Sequence, residues 1–259
     1  ARAAGIGVLR VKLTGMAISA ALTGVGGGLF FMQVRVADPA ALLSLFEFGV
    51  KFALIALIAF ISRGLPSVDT LRTYEAPLPT NVRGNDGRPV HTYARERRVE
   101  LSYAEYPRQL VQAFLAAEDR TFFEHGGVDY PGIVAAFISN LRNDGRPIGA
   151  STITQQVAKN LLLTNEVSYV RKAKEAILAY RIEDALSKEQ ILELYLNGIP
   201  LGRRSFGVQA AARAYFNKDV DDLELHEAAF LSILPKAPET YGRARNRDRA
   251  VARRNWVLG

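Results

Sequence analysis

Two long apolar runs near the N-terminus constrain this chain more than any other feature of its sequence. The first, residues 13–32, carries no charged residue and is about as long as a helix that crosses a bilayer. The second, residues 42–61, contains Glu47 and Lys51, which are spaced so that they can neutralise each other on a helix. Because a charged pair within lipid is costly, this run is either a second span or a helix that lies at the interface or packs on a partner. The sequence therefore predicts membrane attachment and leaves its topology open.

Charge adds to this expectation. Arg2, Arg10 and Lys12 precede the first run and favour a cytoplasmic N-terminus, which fits one span, or one span with a surface helix. The net charge of +7 suits an anionic partner, either a phospholipid surface or a phosphorylated substrate. Nucleic acid is not expected, since neither a nucleic-acid motif nor interleaved aromatic positions occur. With no cysteine and only three histidines, a metal centre built on these residues is not expected either.

The rest of the chain is predicted to be a mainly α protein. Residues 1–61 form the membrane anchor in this scheme, residues 62–104 a linker with a small β-hairpin, and residues 105–259 the catalytic domain. The hairpin is predicted from Asn85-Asp86-Gly87, a turn signal between two strand-like runs. Capping residues and apolar periodicity predict helices over 107–120, 131–143, 151–163, 168–186, 187–196, 205–216, 223–234 and 247–258.

An acidic pair, Glu118 and Asp119, ends the first of these helices within AAEDRTFFEHGGVD. Acids disfavour helix C-termini, and a carboxyl beside Ala, Phe and Leu should be partly desolvated. Desolvation raises a carboxyl pKa and makes a competent proton acceptor. The alternative is an ordinary solvated helix end, which the pair alone does not exclude.

Two further segments carry polar groups suited to phosphate. In GASTITQQVAKN, Thr152, Gln156 and Lys159 are predicted to share a helix face whose N-terminus is lined with hydroxyls. In RKAKE, Arg171 and Lys172 lie one helical turn before Glu175, so two cations surround a carboxylate. Such a set can clamp a diphosphate. The alternatives are a capped helix with a polar face and an intrahelical salt-bridge set.

The segment KEQILELYLNGIPLG is interpreted differently. Its leucines at helical spacing indicate a core helix, and Glu193 and Asn197 are predicted to pair or to cap that helix in a structural role.

In this order, the segments resemble the signature motifs of the family 51 glycosyltransferases, which include the glycosyltransferase domains of class A penicillin-binding proteins and the monofunctional transglycosylases. EDRTFFEHGGVD resembles the first motif, GASTITQQ the second, RKAKE the third, KEQILELYLN the fourth and LHEAAFLSILPKAPETY the fifth. The resemblance covers about residues 65–258. It implies a lysozyme-like helical fold behind a transmembrane anchor, and polymerisation of lipid II at the outer face of a bacterial cytoplasmic membrane.

By motif position, the resemblance also implies roles for individual residues. Glu118 would be the general base that deprotonates the acceptor sugar 4-hydroxyl, and Glu175 the second acidic residue, near the donor diphosphate. The remaining positions would bind substrate: Lys159, Arg171 and Lys172 at the diphosphate, helped by Ser151, Thr152 and Gln156, with Asp119, Phe122 and His125 shaping the site around Glu118.

The expected partners are lipid II, the nascent glycan strand, membrane lipid and other cell-wall synthesis proteins. No cofactor is required by the sequence, although a divalent cation, Mg or Mn, could help to neutralise the diphosphate. Two alternatives stay open: a lytic transglycosylase or lysozyme-like hydrolase, and an inactive membrane scaffold. A hydrolase would need the glutamate but not the basic cluster, which favours synthesis.

Overall fold

The computed structural model describes residues 39–72, 74, 80–86, 89–93, 98–142, 149–164 and 168–259. The first apolar run and the basic residues ahead of it lie outside the described residues. The chain divides into two compact units, Ala1–Gly64 and Leu65–Gly259.

In the first unit, helix α1 (Pro39–Ser62) contains the whole second apolar run. The pair predicted within it is confirmed, because Lys51 Nζ lies 2.5 Å from Glu47 Oε1. Among the helices that the described residues form, we find none that combines the length and the apolarity of a membrane span.

The second unit is mainly helical, as predicted. Its helices are α2 (Asp69–Arg72), α3 (Arg108–Glu118), α4 (Tyr130–Arg142), α5 (Ile153–Val157), α6 (Tyr169–Ala185), α7 (Lys188–Gly198), α8 (Val208–Phe216), α9 (Leu225–Ile233), α10 (Pro238–Tyr241) and α11 (Arg247–Leu258). Strands β1 (Thr80–Arg83) and β2 (Pro89–Tyr93) pair antiparallel, with an irregularity in register between Val82 and Arg83.

The helix ends follow local chemistry. Ser187 and Gln190 form the predicted capping box at the start of α7, and the Ser168 hydroxyl accepts the Arg171 N–H at the start of α6. The predicted cap at Ser151 is wrong by one residue. The helix begins at Ile153, so the Thr152 hydroxyl accepts the Gln155 N–H, while the Ser151 hydroxyl accepts a hydrogen bond from Lys172.

The core brings the motif-bearing helices together. Helix α3 packs against α9 and α11, while α5 packs against both α6 and α7. At its centre Phe114 and Tyr195 meet edge to face, with ring centroids 6.2 Å apart and both side chains buried. Short α5 is therefore held by its neighbours rather than by its own helix propensity.

Glu193 and Asn197 have a structural role, but the predicted pairing or capping is wrong, because both side chains bond to a neighbouring segment. The Tyr103 N–H donates to Glu193 Oε2 at 2.7 Å. Asn197 accepts the Leu101 N–H at 3.0 Å and donates to the Leu101 carbonyl at 2.8 Å. Both side chains thus fasten the start of the domain to α7.

Candidate active site

Glu118 is the last residue of α3, and its half-buried carboxylate faces α5. Gln156 Nε2 donates a hydrogen bond of 2.8 Å to Glu118 Oε2. That bond engages one carboxylate oxygen, so the other can accept a proton. Gln156, which the resemblance assigns to the diphosphate contacts, bonds to Glu118 in the structure.

Opposing influences act on the Glu118 carboxyl. Burial raises the pKa of Glu118 above its ordinary value, and the neighbouring charge of Asp119 raises this pKa a little further. The Gln156 hydrogen bond and the charges of Arg253 and Lys236 lower the same pKa without cancelling the effect of burial. A carboxyl held in this way is a stronger base than a solvated glutamate once it is ionised.

Asp119 is buried and fixes the polypeptide around Glu118. Its carboxylate accepts the Ile153 N–H at 2.9 Å, at the first turn of α5, and lies 3.0 and 3.1 Å from His125 Nε2. His125 Nδ1 accepts the Gly127 N–H at 3.2 Å, so the ring proton of the neutral imidazole lies on Nε2 and points at Asp119. Asp119 therefore ties α5 to the segment that follows Glu118.

The turn after His125 is held from two sides. The Thr152 hydroxyl donates to the Gly127 carbonyl at 2.6 Å. Gly127 has φ +96°, and a Cβ there would lie 2.9 Å from the Ala179 backbone carbonyl in α6. Glycine is required at this position for both reasons.

Phe122 is fully buried beneath this turn. The Lys188 ammonium lies 4.3 Å from the centre of its ring and donates to the His125 carbonyl at 2.6 Å. The three residues predicted to shape the site, Asp119, Phe122 and His125, are thus brought together.

The predicted basic cluster forms on α6 around a buried carboxylate. Glu175 is 3% exposed and forms an ion pair with Arg171 through one oxygen. Lys172 Nζ lies 3.0 Å from its other oxygen and also donates to Ser151 Oγ at 2.7 Å and to Gln155 Oε1 at 3.2 Å. Two cations share one carboxylate, so the cluster keeps a net positive charge. Arg171 Nε is buried and has no partner among the described residues.

Helix α5 joins the two halves of the site. Gln155 bonds to the basic cluster, whereas the adjacent Gln156 bonds to Glu118. Lys159 is not brought into either group. It is exposed in a π-helical turn, Ala158–Leu162, and makes no hydrogen bond or ion pair with any residue the structure describes. The wider turn explains its departure from the face predicted for a regular helix.

Three residues near Glu118 were missed by the sequence interpretation. Tyr195 lies in the segment interpreted as a core helix, and its buried hydroxyl has no hydrogen-bond partner among the described residues. Desolvation raises the pKa of Tyr195, and the charges of Glu118 and Asp119 raise it further. Lys236 lies between prolines in the fifth motif, and Arg253 belongs to a basic terminal helix. Only the charged lysine within the apolar sequence SILPKAP gave a signal that could have been used.

Within the described ranges, no three His, Asp or Glu side chains gather as a metal-ligand group. Glu175, the carboxylate of the basic cluster, already has both oxygens engaged by cations.

Known proteins resemble this chain over most of its length. A family model described as Transglycosylase matches residues 86–259. Penicillin-binding protein 1A of Neisseria flavescens is 46% identical over 211 residues, covering 82% of this chain and 26% of that protein. Penicillin-binding protein 1A of Rickettsia felis is 51% identical over 205 residues, which cover 78% of this chain and 26% of that protein.

A crystal structure of penicillin-binding protein 1A from Haemophilus influenzae is 27% identical, covers 71% of this chain and 18% of that one, and has a TM-score of 0.37. The chain spans about a quarter of the length of the curated relatives it matches.

Proposed function

Because this chain belongs to the transglycosylase family, we propose that it polymerises lipid II into β-1,4-linked glycan strands at a bacterial membrane. One observation carries the proposal. A desolvated carboxylate, Glu118, is linked through adjacent residues of α5 to a basic cluster with net positive charge. This is the pair of groups that displacement of a diphosphate from a sugar needs.

Glu118 is the proposed general base. The free carboxylate oxygen accepts the proton of the acceptor 4-hydroxyl as that oxygen attacks the anomeric carbon of the donor. Gln156 holds the second carboxylate oxygen, and the Asp119 bonds to Ile153 and His125 keep the surrounding turn in place. A side chain fixed in this way loses little entropy when the reaction occurs.

Arg171 and Lys172 are proposed to stabilise the leaving group. The bond from the anomeric carbon to the acceptor oxygen forms as the bond to the diphosphate oxygen breaks, and the electron pair leaves with the diphosphate. A single displacement of this kind inverts the anomeric centre, so an α-linked donor gives a β-linked product. Ser151, whose hydroxyl bonds to Lys172, is a further proposed contact, and Glu175 orients the two cations. Diphosphate contacts from Thr152 and Lys159 stay predictions, because the Thr152 hydroxyl is bonded to the Gly127 carbonyl and Lys159 lies outside the cluster.

A divalent ion such as Mg²⁺ or Mn²⁺ at the diphosphate stays a prediction. The proposed steps assign charge neutralisation to the side chains of the basic cluster, whose two cations share one carboxylate.

Exposed apolar side chains support a location at the membrane. Helix α4 leaves Val134, Phe137 and Leu141 at 58%, 63% and 72% exposure, and α1 is apolar along most of its length. Surfaces of this kind favour lipid or partner contact. We place the catalytic unit on the periplasmic or extracellular side of the cytoplasmic membrane, with lipid II, the growing strand, membrane lipid and other cell-wall proteins as partners.

The test is polymerisation of labelled lipid II by the purified full chain in detergent. Growing glycan strands are the expected product. If the protein instead releases soluble muropeptides from finished cell wall and makes no strands, the hydrolase alternative replaces this proposal. If the protein neither makes strands nor releases muropeptides, the scaffold alternative replaces this proposal.

A further inference from the structure

A cavity of about 280 Å³ opens among α8, α9, α10 and α11 of the second unit. None of the residues that line it belongs to the candidate active site. Ligand pockets in proteins begin at roughly 300 Å³, so this cavity has room for a side chain or a small group of a ligand. Its walls combine aromatic rings with arginines.

Three half-buried aromatic side chains form the floor of the cavity: Tyr215, Phe216 and Phe230. The ring centre of Phe230 lies 5.5 Å from that of Tyr215 and 5.7 Å from that of Phe216. The Tyr215 hydroxyl donates to the Leu201 carbonyl at 3.0 Å, and a Cβ at Gly242 would overlap this hydroxyl. The aromatic floor is therefore fixed in place, with apolar surface turned towards the cavity.

Arg203 is held over this floor by a strained segment. Arg203 and Arg204 have φ +50° and +58°, in the left-handed region that is unfavourable for residues with a Cβ. The guanidinium carbon of Arg203 lies 4.2 Å from the centre of the Tyr215 ring, and its Nη1 donates to the Ala214 carbonyl at 2.7 Å. Strain of this kind is typical of binding sites, and here it keeps one cation at the edge of the cavity.

Three further arginines line the cavity: Arg243, Arg247 and Arg254. Arg243 forms an ion pair of 2.7 Å with Glu239, so an arginine at this position does bind a side-chain carboxylate. Arg247 is exposed and makes no hydrogen bond or ion pair with any described residue. No acidic residue lines the cavity in the part of the chain that the structure describes, so its rim keeps a net positive charge.

We propose that this cavity binds an acidic peptide segment of a partner protein, with an apolar or aromatic side chain on the aromatic floor and carboxylates on the arginines. Guanidinium groups form forked hydrogen bonds with carboxylates, and the floor excludes a ligand that is charged throughout. A lipid surface is the weaker candidate, because the exposed apolar residues of α4 lie on a helix that does not line this cavity. The inference goes beyond the proposed function, since binding such a peptide requires no turnover.

The experiment measures the affinity of the full chain in detergent for a fluorescent peptide that has one Phe flanked on both sides by Glu. Fluorescence anisotropy should show binding that weakens as salt is raised. Peptides with Gln in place of every Glu, or with Ser in place of Phe, should bind at least about tenfold less tightly. Equal affinity for all three peptides would overturn the inference, as would no binding of the first.

Arg247→Glu is the variant that tests the cavity itself. It places a carboxylate where the peptide carboxylate is proposed to bind, so affinity should fall by about tenfold or more. Arg247 is the first residue of α11, where an acidic side chain is favourable, so the variant is expected to fold. It should also keep the parent rate of lipid II polymerisation, which separates this inference from the proposed function.

Arg249→Glu is the matched control. Arg249 is an exposed arginine of the same helix that does not line the cavity, and its replacement changes the net charge equally. It should bind the peptide as the parent does. If both variants lose the same affinity, the peptide is attracted only by net charge and the inference is wrong.

A competition experiment distinguishes a peptide from a lipid headgroup. Phosphatidylglycerol added to the detergent micelles should not displace the bound peptide, and neither should phosphatidylcholine. Displacement by phosphatidylglycerol alone would assign the cavity to an anionic lipid headgroup and overturn the inference.

Discussion

Replacing Asp119 with alanine should destabilise the second unit substantially. Asp119 accepts hydrogen bonds from His125 Nε2 and from the Ile153 N–H, and Ile153 is fully buried, so water cannot replace the lost acceptor. Each orphaned donor costs roughly 1–3 kcal/mol. Removing a buried charge is itself favourable and offsets part of this cost, so the free energy of unfolding should fall by about 2–4 kcal/mol in all. For a unit of this size, that corresponds to a fall in Tm of about 10 °C.

Trp256 is the only tryptophan of the chain and belongs to this unit, so its fluorescence follows unfolding without a label. Equilibrium denaturation of the full chain in detergent should show a lower midpoint for Asp119→Ala. The midpoint of Asp119→Asn should lie between those of the parent and Asp119→Ala, because the amide oxygen of Asn can still accept from one of the two donors.

Asp184→Ala is the matched control for this prediction. Asp184 is an exposed carboxylate at the end of α6 that makes no hydrogen bond or ion pair with the described part of the chain. Its removal should change stability by less than about 0.5 kcal/mol. If Asp119→Ala is as stable as Asp184→Ala, the view that Asp119 fastens α5 to the Glu118 segment is wrong.

Three other predictions concern the same region. Gly127→Ala should lower the free energy of unfolding by about 1–3 kcal/mol, because Gly127 has a positive φ and lies close to the Ala179 carbonyl. Gly126→Ala is its control in the same denaturation experiment and should be nearly neutral, since a Cβ at Gly126 meets no atom within 4 Å. Glu118→Gln should raise Tm at neutral pH. The pKa of Glu118 is raised in the folded state, so ionisation of this carboxyl lowers stability as pH rises through that pKa. The gain in Tm should vanish below about pH 4, where the carboxyl is protonated in both the folded and the unfolded state. Lys172→Ala should slow lipid II polymerisation by roughly 10-fold or more. Lys174 is half-buried in the same helical turn but lies outside the cluster, so Lys174→Ala should leave the rate unchanged.

Local rules predicted much of the fold. The capping box of α7, the Ser168 cap and the pairing of Arg171 and Lys172 with Glu175 all depend on residues within one helical turn of one another. Sequence spacing is sufficient for contacts of this kind.

Other features depend on tertiary packing and were not predictable in this way. The hydrogen bond from Lys172 on α6 to the Ser151 hydroxyl joins residues that are 21 positions apart, so local capping rules could not predict it. Lys159 is exposed because it lies in a π-helical turn, and no residue of the segment predicts such a turn from sequence. The packing of α11 against α3 joins distant parts of the chain, so spacing within one segment could not predict it.

The most direct test of Glu118 as the general base is the rate of lipid II polymerisation by Glu118→Gln, measured beside that of Glu124→Gln. Glu124 is an exposed carboxylate in the same segment, so its replacement removes an equal charge without touching the proposed base. Glu118→Gln should lose roughly 10²–10⁴-fold in rate while remaining folded, and Glu124→Gln should keep the parent rate. A Glu118→Gln protein that polymerises lipid II as fast as Glu124→Gln would contradict the assignment of Glu118 as the general base.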